Sequence, residues 1–265
     1  MKKHFYLLKT CLCALAVGVL AGCSAEDEQG AQLAEGKGAV MLSLNADTGF
    51  ETTTKAVDES AYEDLGLYTV QILKDGVVVN NCEWAGDALP EELVELDNGD
   101  YTLKAFAGEE YEGAASSTEG FYVAGETSFN INSDKKNIAV ECLPQCARVR
   151  VAFDELMPDY FNDYSVEFSG TDALNTAKVT WESDDKDPVY LAMTEEETVT
   201  ATIKLVDKDG KVAADVVRTK ALAPGKAWLL NIAPALDNGK LGISITIDES
   251  TNDHEVDIEI PADWL

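Results

Sequence analysis

From residue 38 onward, apolar and polar residues alternate with a period of two, and the alternating segments are rich in β-branched and aromatic side chains. Such alternation marks strands with one face buried and one exposed, so the chain reads as all-β with mainly antiparallel sheets. Four turn dipeptides sit between pairs of such segments. Asp75-Gly76 separates 67–74 from 77–82, Asn98-Gly99 separates 93–96 from 101–107, Asp209-Gly210 separates 198–206 from 212–219, and Asn238-Gly239 separates 228–233 from 241–247. Asn-Gly and Asp-Gly supply the positive φ angles that tight primed turns require, and each is expected to close a hairpin. Further strands are predicted at 39–45, 121–131, 137–143, 148–153, 165–168, 177–181, 189–193 and 255–260. One short helix is expected over 155–161, with Asp154 as its N-cap and Leu156, Tyr160 and Phe161 on one side. Pro144 would interrupt a continuous central strand. The fold expected is therefore two tandem antiparallel β-sandwich domains, 38–143 and 144–265, with the helix near the start of the second.

The first 37 residues follow a different pattern. Lys2, Lys3 and Lys9 precede an apolar run over 11–22, shorter than the roughly 20 residues a transmembrane helix needs. Residues 1–22 read as a signal peptide. Leu20-Ala21-Gly22-Cys23 resembles the bacterial lipobox, which implies that the Cys23 thiol carries diacylglycerol and becomes the mature N-terminus. A diacylglyceryl group supplies the two chains that stable anchoring takes, so the expected partner is the outer membrane, reached through lipid. Residues 23–37 are polar, small and acidic, as a flexible tether is. Ser24-Ala25-Glu26-Asp27-Glu28 resembles the surface-export signal of lipoproteins from Gram-negative anaerobes, which implies a position facing the cell exterior; a solvated tether on a periplasmic lipoprotein is the alternative.

Charge narrows the partners. The 265 residues carry 20 Lys and Arg against 49 Asp and Glu, a net charge of −29. Loss of residues 1–22 takes three lysines, leaving 17 basic residues against 49 acids and a net charge of −32. A phosphate backbone would be repelled, so nucleic acid is not an expected partner.

Candidate chemistry is sparse. His254 is the only histidine after residue 22, and no nucleophile elbow, zinc-protease motif or phosphate-binding glycine loop is present. The acidic runs Asp184-Asp185 and Glu195-Glu196-Glu197 read as solvated turns. Neither 248–253 nor Asp207-x-Asp209-Gly210 has the full twelve-residue calcium-loop pattern. The expectation is a non-catalytic protein without cofactor and with no metal site assigned, structural calcium staying open. Cys82, Cys142 and Cys146 remain in the folded part, an odd number. Alternation puts Cys142 with Ile138 and Val140, and Cys146 on the face of Arg148 and Arg150, so unless Pro144 makes a bulge these two thiols point apart. Trp181 and Trp228 fall in strand alternation and are expected in the core, and Trp264 at an edge. Trp84, amid Asn80, Asn81, Glu83 and Asp87, reads either as the cover of one sandwich end or as a stacking platform for a glycan.

Six passages carry a family resemblance. Thr54-Lys55-Ala56, then Tyr68-Thr69-Val70-Gln71-Ile72, then Leu96-Asp97-Asn98-Gly99-Asp100-Tyr101-Thr102-Leu103-Lys104-Ala105 resemble the first domain of fimbrillin-related surface lipoproteins. Val140-Glu141-Cys142, Arg148-Val149-Arg150-Val151-Ala152-Phe153 and Tyr160-Phe161-Asn162-Asp163-Tyr164-Ser165-Val166 continue the likeness into the second. The resemblance implies a fimbrillin- or transthyretin-like pair of sandwiches and a fimbrial subunit or accessory protein in cell adhesion. Fimbrillin-type pilins travel as lipoproteins, lose an N-terminal segment to a trypsin-like protease, and polymerise by adding a strand to a neighbouring subunit. Lys55 and Ala56 would then flank the cleaved bond, although the family pattern more often has arginine at the first position, and accessory anchor and tip proteins need not be cleaved. The alternative is a glycan-binding lipoprotein of a polysaccharide-uptake system, using Trp84.

Overall fold

A computed structural model describes residues 33–47, 50, 58–237, 240–248 and 255–259. They form strands joined by turns, two short helices and three 3-10 turns. In chain order the elements are β1 (Lys37–Ala46), β2 (Thr69–Lys74), β3 (Val77–Ala85), β4 (Val94–Asp97), β5 (Gly99–Ala107), β6 (Ser116–Ser117), β7 (Val123–Ile131), β8 (Lys135–Pro144) and β9 (Cys146–Phe153). They continue through α1 (Met157–Tyr160), β10 (Phe161–Ser169), α2 (Asp172–Thr176), β11 (Val179–Trp181), β12 (Val189–Ala192), β13 (Glu197–Asp207), β14 (Val216–Leu222), β15 (Ala227–Asp237), β16 (Lys240–Asp248) and β17 (Glu255–Glu259). The class is all-β.

The first sandwich is a single seven-stranded sheet, in the order β3-β2-β5-β7-β8-β1-β4, folded over on itself. The fold line runs where β7 meets β8. There the two strands pair only at Val123↔Pro144 and Ala124↔Leu143. Gly125 sits at this crossing, and a Cβ on it would fall 1.9 Å from the carbonyl oxygen of Glu141, so only glycine lets the layers come this close. Alternate residues of each strand fill the space between the layers: Val40 and Leu42, Val70 and Ile72, Tyr101, Leu103 and Ala105, and Ile138, Val140 and Cys142.

The second sandwich packs a four-stranded sheet, β11-β10-β13-β14, on a six-stranded one, β17-β16-β15-β9-β12-β6. Val166 and Phe168, Val199 to Leu205 at every second position, Val149 and Val151, and Leu230 and Ile232 lie in its core with Trp181 and Trp228, which are buried as expected. The chain passes between the sandwiches at Pro144-Gln145-Cys146, where β8 ends and β9 begins. Pairing is antiparallel except for β1 with β8 and β9 with β15, which run parallel.

Of the four turn dipeptides, Asp75-Gly76 closes a two-residue hairpin, with φ of 53° and 77° and Lys74 opposite Val77. Asp209-Gly210 lies in a longer connection between paired β13 and β14. The strands flanking Asn238-Gly239 pair from Asp237↔Lys240 onward, and the dipeptide itself lies outside the described residues. Asn98-Gly99 does not close a hairpin. β4 pairs with β1, whereas β5 pairs with β2 and β7, so the dipeptide is a corner between layers. Its geometry is set from outside: Asn98 donates its backbone N–H to Gly36, and its Oδ1 accepts the N–H of Ser133.

The predicted helix also needs correction. Asp154 Oδ1 accepts the N–H of Leu156, an Asx-type turn, and the helix spans only Met157–Tyr160, with Pro158 in its first turn. One turn buries Met157 and the following Phe161 and leaves Leu156 and Tyr160 exposed. A second short helix, Asp172–Thr176, was not expected; Thr171 caps it by accepting the N–H of Leu174.

Candidate functional site

The structure has two features with consequences for function: the seat of β1, and a charged clasp where the sandwiches meet. β1 lies inside the seven-stranded sheet. It runs parallel to β8 from Ala39↔Lys135 to Ala46↔Cys142 and antiparallel to β4 from Lys37↔Asp97 to Val40↔Val94. β4 pairs with no other strand among the described residues. Ala39, Val40 and Leu42 are buried, and the strand is tied at its ends by Ala39 N–H to the Asp134 carbonyl and Asp47 N–H to the Cys142 carbonyl. Gly38 passes so close to Ile131 and Asp134 that a Cβ would collide with both.

The clasp is built on Glu59, which is 1% exposed and lies in a 3-10 turn, Glu59–Glu63. Its carboxylate accepts two hydrogen bonds from Arg148 Nη1, at 2.9 and 2.7 Å, and one from the Tyr190 hydroxyl at 2.7 Å. Arg148 belongs to β9 and Tyr190 to β12, adjacent strands in register at Tyr190↔Arg148. Phe50 lies under the guanidinium, 5.1 Å from ring centre to Cζ. Phe121 contacts Phe50 edge-on at 5.3 Å, Tyr190 at 4.8 Å and Tyr62 in a stack at 4.2 Å. A fully satisfied ion pair is thus sealed by aromatic rings, and it is closed to substrate.

β9 and β12 are therefore buried on both faces. Ala147, Val149, Val151, Val189 and Leu191 face the second core, and Cys146 and Tyr190 face the first. Alternation correctly separates the valines from Cys146 and the arginines. It does not reveal that a carboxylate 89 positions upstream covers Arg148, because nothing local to Glu59 marks it as buried. The junction is reinforced by β6, two residues from the first half that pair with β12 at Tyr190↔Ser117 and Leu191↔Ser116.

Of the residues picked from sequence, Cys23, Lys55, Ala56, His254 and Trp264 lie outside the described residues. Phe50 and Glu59, on either side of Lys55-Ala56, both belong to the clasp. Trp84, on β3 opposite Val70, is half-buried and packs against the first core. Asp207 Oδ1 accepts the N–H groups of Asp209 and Lys211, so this acid shapes its own turn. Among the described residues no group of three or more His, Cys, Asp or Glu side chains is placed to hold a metal. Nor is any described helix long and apolar enough to cross a membrane.

A family model described as a domain of unknown function, DUF4493, matches residues 36–262. The chain belongs to the DUF4493 family. No curated protein matches it. Among solved structures, a fimbrial assembly protein from Parabacteroides distasonis aligns over 84% of this chain and 98% of its own, at 11% identity and a TM-score of 0.39. The fimbrial anchor protein of Porphyromonas gingivalis aligns over 81% and 97%, at 12% identity and a TM-score of 0.38. A Bacteroides ovatus protein provisionally named an adhesin aligns over 82% and 96%, at 12% identity and a TM-score of 0.42.

The DUF4493 chain keeps its three described cysteines as buried, free thiols. Burial pushes Cys142 and Cys146 up to about 12, and pushes Cys82 upward. Cys142 also donates its S–H to the Ala105 carbonyl at 3.4 Å. Because the folded state holds these protons more tightly than the unfolded chain, the linked stability is complete below the ordinary thiol value near 9 and is lost as pH rises from there towards 12. We expect iodoacetamide at pH 8 to leave these three thiols of the folded DUF4493 chain unmodified and to alkylate them in 6 M guanidinium, as read by mass spectrometry of the derived peptides. Fast labelling of the folded chain would contradict the burial.

Proposed function

We propose that this protein is a non-catalytic lipoprotein displayed on the outer membrane, serving as a fimbrial subunit or accessory protein in cell adhesion. One observation carries the reading. β1 sits within a sheet, between two partner strands, yet it is joined to the rest of the sandwich only through the segment that contains Lys55-Ala56. A cut after Lys55 would leave β1 held by non-covalent contacts alone. Its departure would open the edge of β8 over eight aligned positions, and would leave β4 without a partner. Unpaired backbone groups beside an apolar groove are what an added strand satisfies. Lipid on Cys23 would hold the uncut form at the membrane, as an anchor or accessory protein needs.

Intact-mass and N-terminal analysis of the protein purified from its own cell surface tests the proposal. A start at Ala56 supports the subunit form, and a lipidated Cys23 supports the anchored form. Protection from protease shaving in intact cells, or a chain free of both marks, would overturn it.

A further inference from the structure

Beside the clasp, between the 108–117 loop of the first sandwich and the start of β13 in the second, lies a cavity of about 370 Å³. Three carboxylates line it, those of Glu110, Asp172 and Glu197, and no Lys, Arg or His does. The rest of the wall includes Tyr111, Tyr122 and Met193. Tyr122 is 5% exposed, and the hydroxyl of Tyr111 is buried with no hydrogen-bond partner among the described residues, although a buried phenol normally finds one. Burial and the neighbouring Glu110 and Glu126 push the Tyr122 hydroxyl up to about 12, so it remains a neutral donor or acceptor. Glu197 accepts the N–H of Asp172 through Oε2, which fixes one carboxylate at the rim.

We infer that this cavity binds a cationic group on an apolar stem: the side chain of a lysine or arginine presented by a partner protein. The volume falls in the range of small-molecule sites. Carboxylates on a low-dielectric wall concentrate negative potential inside it, in a chain that is already strongly acidic. Tyrosine rings and a thioether suit the methylene stem and attract an ammonium or guanidinium over the ring face. Anionic ligands are disfavoured by the same potential. A neutral sugar would leave the potential unused. The inference is independent of whether β1 is exchanged, since none of these residues lies on β1 or contacts it by strand pairing.

The test is titration of the full chain with Nα-acetyl-lysine methylamide, followed by nuclear magnetic resonance of the backbone amides. Shifts are expected to concentrate at 110–114, 122 and 192–197, with millimolar affinity. The Nε-acetylated analogue, which has the same stem without the charge, is expected to bind at least tenfold more weakly. Glu110→Gln is expected to weaken lysine binding about threefold to fivefold, on the scale of one partly exposed ion pair. Tyr122→Phe keeps the ring and should retain the charge preference, which guards against reading a folding defect as lost binding. Equal binding of the two lysine analogues would overturn the inference. So would shifts spread evenly over the acidic surface, or tighter binding of a neutral oligosaccharide at the same amides.

Discussion

Replacing Arg148 with methionine is expected to lower the unfolding free energy by about 3–5 kcal/mol, among the largest costs any single side-chain replacement here should produce. The charge of Arg148 is not what stabilises the fold by itself. Taking a guanidinium and a carboxylate out of water is expensive, and the two hydrogen bonds from Nη1 to Glu59, with the third from Tyr190, offset that cost. With Arg148 removed, Glu59 is left as an uncompensated anion enclosed by Phe50, Phe121 and Tyr190. The double replacement Glu59→Leu with Arg148→Met should recover most of the loss, because an apolar pair of similar volume avoids the desolvation cost altogether. Tyr190→Phe should cost about 1.5–3 kcal/mol, one hydrogen bond to a charged group less. Urea unfolding of the four proteins measures this. A loss below 1 kcal/mol for Arg148→Met, or a double variant as weak as the single, would show that the clasp contributes little.

Removing β1 is expected to unfold the first sandwich and spare the second. Excision loses the burial of Val40 and Leu42, each worth roughly 1.5–3 kcal/mol. It also loses the pairing along eight positions of β8 and four of β4, at roughly 0.5–1.5 kcal/mol per hydrogen bond. That sum is comparable with the whole stability of an ordinary domain, about 5–15 kcal/mol. The second core contains no β1 residue. After proteolytic cutting between Phe50 and Glu59 and removal of the released fragment, amides of 138–142 should lose hydrogen-exchange protection while those of 199–205 keep it. A synthetic peptide covering 36–47 should restore protection at 138–142. Continued protection without the peptide would mean that the first sandwich does not depend on β1.

The strands were legible because a half-buried strand writes its two faces into alternate residues, and 101–107 or 199–205 show this without ambiguity. Partners were less legible. Asp75-Gly76 and Asn98-Gly99 carry the same local signal, yet one closes a hairpin and the other passes β4 to the far edge of the sheet. A turn dipeptide says that the chain changes direction; which strand receives it depends on β1, whose paired residues lie 54 to 60 positions earlier, occupying the place beside β4. The helix was placed correctly but its face was not, since a single turn cannot carry the stripe that periodicity arguments assume. The clasp was the least legible part. Arg148 stood out only as one of two arginines on a strand face, and Glu59 as one acid among 49.

The two residues of β6 have a mechanical consequence. Together with the Pro144-Gln145 connection and the Glu59–Arg148 pair, they give the sandwiches at least three separate attachments among the described residues, one covalent and the others not. A single connection would act as a swivel, and the two sandwiches would turn to follow any pull. With three, tension applied across the molecule is shared among them, and swivelling requires the ion pair and the β6 ladder to break first.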